Sequence, residues 1–116
     1  MIYRVNGVLI DTGRRCIERE GQEIQLRDRP FRTLLHLVEH AGRVITKDEL
    51  HKAVWKDIAV TDDAIVQSIV EIRSALKDER KNPTFIRTVS GVGYRFIATV
   101  DSAAAADSSV APADVS

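Results

Sequence analysis

The chain contains no run of 18 apolar residues and no secretory signal peptide. The sequence therefore predicts no membrane-spanning helix, no export and no membrane contact by this segment. Cys16 is the single cysteine, which excludes a disulfide bond within the chain. We interpret it as a small apolar residue that fills space on a strand. These absences favour a reducing, cytoplasmic setting.

The chain also has no net charge, since 17 basic residues balance 17 acidic ones. A strong excess of positive charge would be the usual sign of a nucleic-acid-binding surface. The acidic residues are unevenly placed, however, because Asp101, Asp107 and Asp114 all follow residue 100 and no basic residue does. The first 100 residues carry a net charge of +3, which makes that segment weakly basic.

Patterns typical of an enzyme or a metal site are missing as well. Gly91 and Gly93 lie between two predicted strands rather than before a helix, so they do not form a phosphate-binding loop. No nucleophile can be paired with a base. His36 and His40 are one helical turn apart, but no acidic residue or cysteine is spaced to complete a metal shell with them or with His51. We therefore predict no enzymatic activity, no cofactor and no metal site.

The apolar pattern predicts an α+β fold. Short alternating runs separated by turn residues predict a small antiparallel sheet of three or four strands, at residues 3–5, 8–10, 16–19 and 23–26. Helical periodicity then predicts three helices, at residues 28–41, 46 to about 55, and 62–77. A β-hairpin follows, with strands at 85–89 and 94–100 and a glycine-containing tip at 90–93.

Capping signals mark the ends of the helices. Asp28 is predicted to cap the first helix and Gly42 to end it. Residues 43–45 are predicted to be a short link. Thr46 and Glu49 then have the T-x-x-E spacing of a capping box, which predicts the start of the second helix.

The third helix is the element around which the prediction is organised. Ile65, Ile69, Ile72 and Leu76 form one apolar stripe, and each fully buried side chain is worth roughly 1.5–3 kcal/mol. Thr61 is predicted to be its N-cap. The opposite face is mixed in character and carries Asp63, Gln67, Val70, Glu71 and Ser74, with Val66 and Arg73 on a flank. This pattern fits either an ordinary amphipathic core helix or a helix that reads a nucleic-acid groove.

The hairpin motif favours the groove-reading alternative. Leu34 and Leu35 in the first helix, Trp55 at the end of the second, and the run IRTVSGVGYR at 86–95 strongly resemble the C-terminal effector domain of OmpR/PhoB-type response regulators. The resemblance is closest to the CadC- and ToxR-like subgroup, in which that domain stands at the N-terminus. It covers residues 3–98, and its most specific part is the hairpin.

The resemblance implies a winged helix-turn-helix that binds duplex DNA in bacterial transcription regulation. The third helix, about 62–77, would enter the major groove, and the wing, about 85–97, would lie at the minor groove. Matching positions imply phosphate or backbone contacts for Lys47, Trp55, Arg73 and Thr88. They imply a base-reading role for Gln67.

The chemistry of the side chains leaves alternatives open at several positions. Gln67 can pair with adenine, and Val66 and Val70 can touch thymine methyl groups or pack on a protein partner. Glu71 repels phosphate but can accept a hydrogen bond from cytosine. Val70, Glu71 and Ser90 stand where the response regulators often have arginine. The predicted DNA-binding set is Lys47, Trp55, Val66, Gln67, Val70, Glu71, Arg73, Ser74, Arg87, Thr88, Ser90 and Arg95.

Two segments suggest further partners. The connector Lys56–Val60 matches a loop that can touch RNA polymerase in the family, although it could also be a simple link. The folded domain is predicted at residues 1–100. Residues 101–116 contain only five kinds of residue and are predicted to be a disordered linker or tail. A sensor or effector domain could follow this tail. The main alternative to DNA binding is a protein-interaction module that kept the fold and lost the DNA-binding face; a small enzyme is a remoter alternative.

Overall fold

The structure, a computed structural model, describes residues 2–56 and 58–102. The described residues divide into two compact units, of which one contains residues 2–25 and 99–102 and the other lies within Leu26–Ala98. The strands are β1 Ile2–Val5, β2 Val8–Asp11, β3 Cys16–Arg19, β4 Gln22–Gln25, β5 Val44–Thr46, β6 Ile86–Val89, β7 Gly93–Phe96 and β8 Val100–Ser102. The helices are α1 Asp28–Glu39, α2 Lys47–Leu50, which continues as a π-helical segment His51–Trp55, and α3 Asp62–Leu76.

The first unit is an antiparallel sheet in the order β4-β3-β2-β1-β8. Two-residue turns at Asn6-Gly7 and Glu20-Gly21 have positive φ at both positions, which is the geometry that right-handed strand twist favours in tight hairpins. The second turn is one residue shorter than predicted because Gln22 already pairs with Arg19.

The last strand extends past the predicted end of the domain. The boundary was predicted at residue 100, but Asp101 and Ser102 continue β8 and pair with Arg4 and Tyr3 of β1. The composition of this stretch hides the strand, because backbone pairing to β1 requires no apolar side chain. Residues 103–116 lie outside the described residues, so the linker remains a prediction.

The second unit packs α1 against α3 beside a small sheet in the order β5-β7-β6. The stripe of α3 is buried as predicted, with Ile65, Ile69, Ile72 and Leu76 each at most 3% exposed. Thr61 is the N-cap residue of α3, without a side-chain cap bond. None of the helices in the described residues has the length and apolar character needed to span a bilayer.

Two predictions about the first helix and its link are wrong. Asp28 is the first helical residue rather than the cap, since the N-cap position is Arg27 and has no side-chain cap bond. Residues 44–46 are a strand rather than a link: β5 pairs with β7 through Val44↔Arg95 and Ile45↔Tyr94. A strand of three residues is too short to show a period of two in the sequence.

Gly93 is required by a close approach between two strands rather than by the hairpin tip. A Cβ atom at this position would lie 2.0 Å from the carbonyl oxygen of Ile45. The tip itself uses Gly91, which has φ of +73° and open space around it. Gly93 is therefore needed for the close approach of β7 to β5, and Gly91 for the positive φ of the turn.

The second helix begins and ends where it was predicted, but its second half is π-helical. The hydroxyl oxygen of Thr46 accepts a hydrogen bond from the backbone N–H of Glu49 at 3.0 Å, which confirms the predicted N-cap. The π-helical segment then brings Val54 and Trp55 into the core, where they are 1% and 5% exposed. Lys56 follows with a positive φ of 50° and ends the helix.

The chain between α3 and the hairpin is fixed by one carboxylate. Asp78 accepts backbone hydrogen bonds from Thr84 at 2.7 Å and from Ile86 at 2.9 Å. Its own N–H donates to the carbonyl of Arg73 at 2.8 Å. The hairpin therefore starts at a set position relative to the end of α3.

Candidate nucleic-acid interface

The outward face of α3 is exposed and mixed in polarity. Gln67 and Ser74 are exposed, while Val66 and Val70 are 42% and 50% exposed. Isolated exposed apolar residues are common on protein surfaces, but these two lie one helical turn apart on the same helix. Val92 at the hairpin tip is also exposed, at 45%. Helix α3 thus presents hydrogen-bonding and methyl groups together.

A groove of about 260 Å³ lies between α3 and the hairpin β6–β7, which we call the wing. It brings together half of the predicted DNA-binding set, namely Lys47, Val66, Val70, Arg73, Thr88 and Ser90. Arg80 also lines it, although the sequence analysis did not select it. Arg80 lies in an irregular loop, where no periodicity predicts the direction of a side chain.

Arg73 holds the wing to α3. Its Nη2 donates to the carbonyl oxygen of Ile86 at 3.0 Å and to the hydroxyl of Thr88 at 2.8 Å. Its Nε is buried and has no hydrogen-bond partner within the described part of the chain. Burial lowers the pKa of this guanidinium, while the nearby Asp78 acts in the opposite direction. The predicted phosphate-contacting residue is therefore engaged inside the protein, together with the predicted wing residue Thr88.

Glu71 has an intramolecular partner as well. Arg27 donates from Nε to Oε1 of Glu71 at 2.9 Å, and from Nη2 to Oε2. This hydrogen-bonded ion pair lowers the pKa of Glu71 and raises that of Arg27. The negative charge that would repel phosphate is thus balanced by a cation. The sequence offers no signal for the pair, since the two residues are 44 positions apart.

Trp55 and Gln67 line a second depression, of about 390 Å³. Arg27, Asp28 and Arg29 also line it. Arg29 donates to the carbonyl oxygen of Val54 at 2.8 Å, which ties the start of α1 to the segment that carries Trp55. The indole ring is nearly buried; its phosphate contact remains a prediction.

The wing and the loop before it carry exposed positive charge. Arg87 and Arg95 are exposed and lie opposite each other in the β6–β7 register. A cavity of about 640 Å³ on the wing is lined by Arg80, Lys81 and Arg87, together with Ser90. Four cations are therefore presented on or beside one hairpin.

Lys47 lies at the first position of α2, at the edge of the groove. Its ammonium nitrogen is 3.9 Å from Oδ2 of Asp62. The other oxygen of Asp62 is 3.2 Å from Nε2 of His51. Lys47 and His51 thus share one carboxylate at the start of α3, and Lys47 remains 36% exposed.

A separate cluster lies where α1 meets α2. Nε2 of His36 is 2.7 Å from Oε2 of Glu49, and ligand atoms of His36, His40 and Glu49 all lie within 4.8 Å of one another. The prediction that no acidic residue joins this histidine pair is therefore wrong. Arg43 also donates to both oxygens of Glu49, and these bonds, with that from His36, lower the pKa of Glu49 to about 2.

Comparisons with known proteins agree with the geometry. The family described as transcriptional regulatory protein, C terminal, matches residues 21–96. The transcriptional activator CadC of Escherichia coli is 35% identical over 100 residues, which are 85% of this chain and 20% of CadC. A cholera toxin homolog transcriptional activator of Vibrio parahaemolyticus is 38% identical over 87 residues, which are 72% of this chain and 30% of that protein. The chain thus spans less than a third of the length of these two relatives.

Solved structures give the same result. The DNA-binding domain of E. coli CadC has a TM-score of 0.77 at 34% identity, covering 86% of this chain and 94% of that one. The DNA-binding domain of Klebsiella pneumoniae RstA, in complex with the RstA box, has a TM-score of 0.73 at 26% identity, covering 83% and 96%. The predicted winged-helix fold is confirmed.

Proposed function

Since this chain belongs to the transcriptional regulatory protein C-terminal family, we propose that it binds specific sequences of duplex DNA and regulates transcription. Helix α3 lies in the major groove, and the wing lies at the minor groove. The observation that supports the proposal is the groove between α3 and the wing, which combines the exposed Val66 and Val70 of α3 with the cations Lys47 and Arg80. The same combination is not expected of a core helix, whose second face needs only to be solvated.

Base reading falls to the outward face of α3. Gln67 is exposed on its N-terminal half, the part of a recognition helix that meets base edges. Its amide can form a bidentate pair with adenine N6 and N7, and Val66 and Val70 can contact thymine methyl groups. Ser74 lies farther along the helix and can hydrogen-bond to a base or a phosphate.

Phosphate binding falls to the cations around the groove. Lys47 is at the N-terminus of α2, where the helix dipole adds to its charge. Arg80, Lys81, Arg87 and Arg95 extend the positive surface along the wing. Each cation that neutralises a phosphate releases counterions, so these residues determine the salt dependence of binding. Ser90 and the indole N–H of Trp55 are proposed to supply neutral phosphate contacts.

Three members of the predicted DNA-binding set mainly position other groups of the protein. Arg73 and Thr88 fix the wing against α3 through their hydrogen bond. Glu71 is paired with Arg27, so a cation balances its negative charge beside the DNA. We assign these three residues to positioning.

Two further partners are proposed, at the connector Lys56–Val60 and beyond residue 102. The connector Lys56–Val60 exposes Lys56 and leaves Ile58 51% exposed, and we propose it as a contact for RNA polymerase; Asp57 lies outside the described residues. A sensor or effector domain is proposed beyond the tail, because the chain spans a fifth of CadC. Because duplex DNA is its proposed ligand, we propose that the domain acts in the cytoplasm and is not an enzyme.

The second candidate function is a protein-interaction module on the same fold. The exposed Val66, Val70 and Val92 favour it, since apolar side chains of this size also anchor protein partners. Zero net charge favours it too. The two candidates differ in their dependence on salt, because only phosphate binding releases a condensed counterion layer.

The test is a titration of the chain against duplexes selected from random DNA, repeated at several salt concentrations. We expect Lys47→Ala to weaken binding to all sequences and to reduce the salt slope by about one unit. Arg32→Ala is the matched control, because Arg32 is an exposed cation on α1 whose partner is Asp28; it should leave binding unchanged. Binding that does not depend on salt, or equal effects of both variants, would favour the protein-interaction module.

A further inference from the structure

We infer that His36, His40 and Glu49 form a site for one divalent transition-metal ion, of which Zn²⁺ is the best fit. Two histidines and one glutamate are a donor set that zinc uses, with water as a fourth ligand. The site joins the C-terminal half of α1 to the first turn of α2. It is separate from the proposed DNA-binding surface, since none of its three ligands lines the groove beside α3.

The spacing of the donors suits one ion. His36 lies in the last turn of α1, and His40, four positions later, is the C-cap residue that follows the helix. Their ring centroids are 4.4 Å apart. Ligand atoms bound to tetrahedral zinc at about 2.0–2.2 Å lie roughly 3.3–3.6 Å from one another. The cluster, with all atoms within 4.8 Å, closes on an ion through small side-chain rotations.

His40 is already in the tautomer that a metal needs. Its Nδ1 is 2.8 Å from the carbonyl oxygen of His36, and a carbonyl can only accept, so Nδ1 carries the proton. In the neutral ring, Nε2 then has a free lone pair. Metal-binding histidines commonly donate their other ring N–H to a backbone carbonyl in this way, which fixes the ring for the ion.

His36 and Glu49 supply the other two donors. The Glu49 carboxylate accepts from Nε2 of His36 at 2.7 Å, so a proton lies between the two ligand atoms. When the ion binds, the neutral imidazole of His36 changes tautomer: Nε2 gives its proton to water, Nδ1 takes one from water, and the freed lone pair of Nε2 binds the metal. All three side chains are partly buried, which limits the competing hydration of the ligands.

Arg43 competes with a metal ion for the Glu49 carboxylate. Its guanidinium donates to both oxygens of Glu49, at 3.1 and 2.9 Å, and its positive charge competes with the ion for the same carboxylate. Arg43 is more than half exposed, so it can leave Glu49 without losing a buried contact. Removal of this cation should therefore strengthen metal binding, which a purely structural ion-pair cluster does not predict.

The test is calorimetric titration of the full 116-residue chain with Zn²⁺ alone at neutral pH. We expect one saturable site, a loss of affinity of at least about tenfold in His36→Gln and in His40→Gln, and tighter binding in Arg43→Ala. His51→Gln is the control, since His51 pairs with Asp62 instead, and its affinity should match that of the unmodified chain.

A second measurement keeps the inference testable if a variant does not fold. In the unmodified chain, imidazole nitrogen NMR should show that Zn²⁺ shifts the ring nitrogens of His36 and His40 and leaves those of His51 in place. The absence of saturable binding would overturn the inference. So would full affinity in His40→Gln, or a Zn²⁺-induced shift confined to His51.

Discussion

The hydrogen bond between Arg73 and Thr88 can be tested by a double-mutant cycle. Arg73 donates from one nitrogen to Ile86 and to Thr88, and a hydrogen bond to a charged group contributes about 1.5–3 kcal/mol. Arg73→Ala removes both bonds and should cost about 3–6 kcal/mol of unfolding free energy. Thr88→Val removes one, and should cost about 1.5–3 kcal/mol because the guanidinium keeps its bond to the Ile86 carbonyl.

The coupling between the two substitutions is the decisive quantity. In the double variant the shared bond is lost only once, so its cost should fall short of the sum of the two single costs by about 1.5–3 kcal/mol. The assay is urea unfolding of the four proteins, with equal m-values as the check on a two-state comparison. Additivity within about 0.3 kcal/mol would refute the idea that Arg73 holds the wing. Arg73 would then be available for the phosphate contact that the sequence predicted.

Two further predictions concern positions that the structure explains. Gly93→Ala should cost about 3 kcal/mol or more in unfolding free energy, because its Cβ would lie 2.0 Å from the Ile45 carbonyl oxygen. Gly91→Ala is the control and should cost only about 1 kcal/mol, because of its positive φ. Equal costs of the two substitutions in chemical unfolding would contradict the close-approach explanation. Arg27 lowers the pKa of Glu71 below its ordinary value of 4.5, so the ionised pair stabilises the protein above that pH and the stabilisation is lost as the pH falls below it. Glu71→Gln should therefore reduce the loss of thermal stability in acid, and an unchanged pH profile would show that the pair contributes nothing to folding.

The elements with strong periodicity or a specific motif could be predicted from the sequence. The stripe of α3 and the Thr46 cap follow from spacing within one element, and the hairpin follows from its motif at 86–95. Residues that are close together in the sequence determine each of these three features. The same local signals placed the outward face of α3 where the structure has it, with Gln67 exposed.

Features that depend on distant parts of the chain could not be predicted. The three-residue strand β5 exists because it pairs with β7, about fifty positions later. Glu71 is balanced by Arg27, which lies 44 residues before it, and Glu49 reaches the histidines of α1 only through the packing of α2. In each case an isolated residue gives no sign of its partner, because the contact is made by tertiary packing rather than by sequence spacing.

The central claim is that α3 reads bases, and Gln67→Ala tests it most directly. Wild type and variant are titrated against a selected duplex, its single-base-pair variants and a scrambled duplex at fixed salt. We expect the variant to lose preference at one base pair, at a cost of roughly 1–3 kcal/mol, and to bind the scrambled duplex as wild type does. An equal loss on selected and scrambled duplexes, or no loss on either, would contradict the placement of this helix in the major groove.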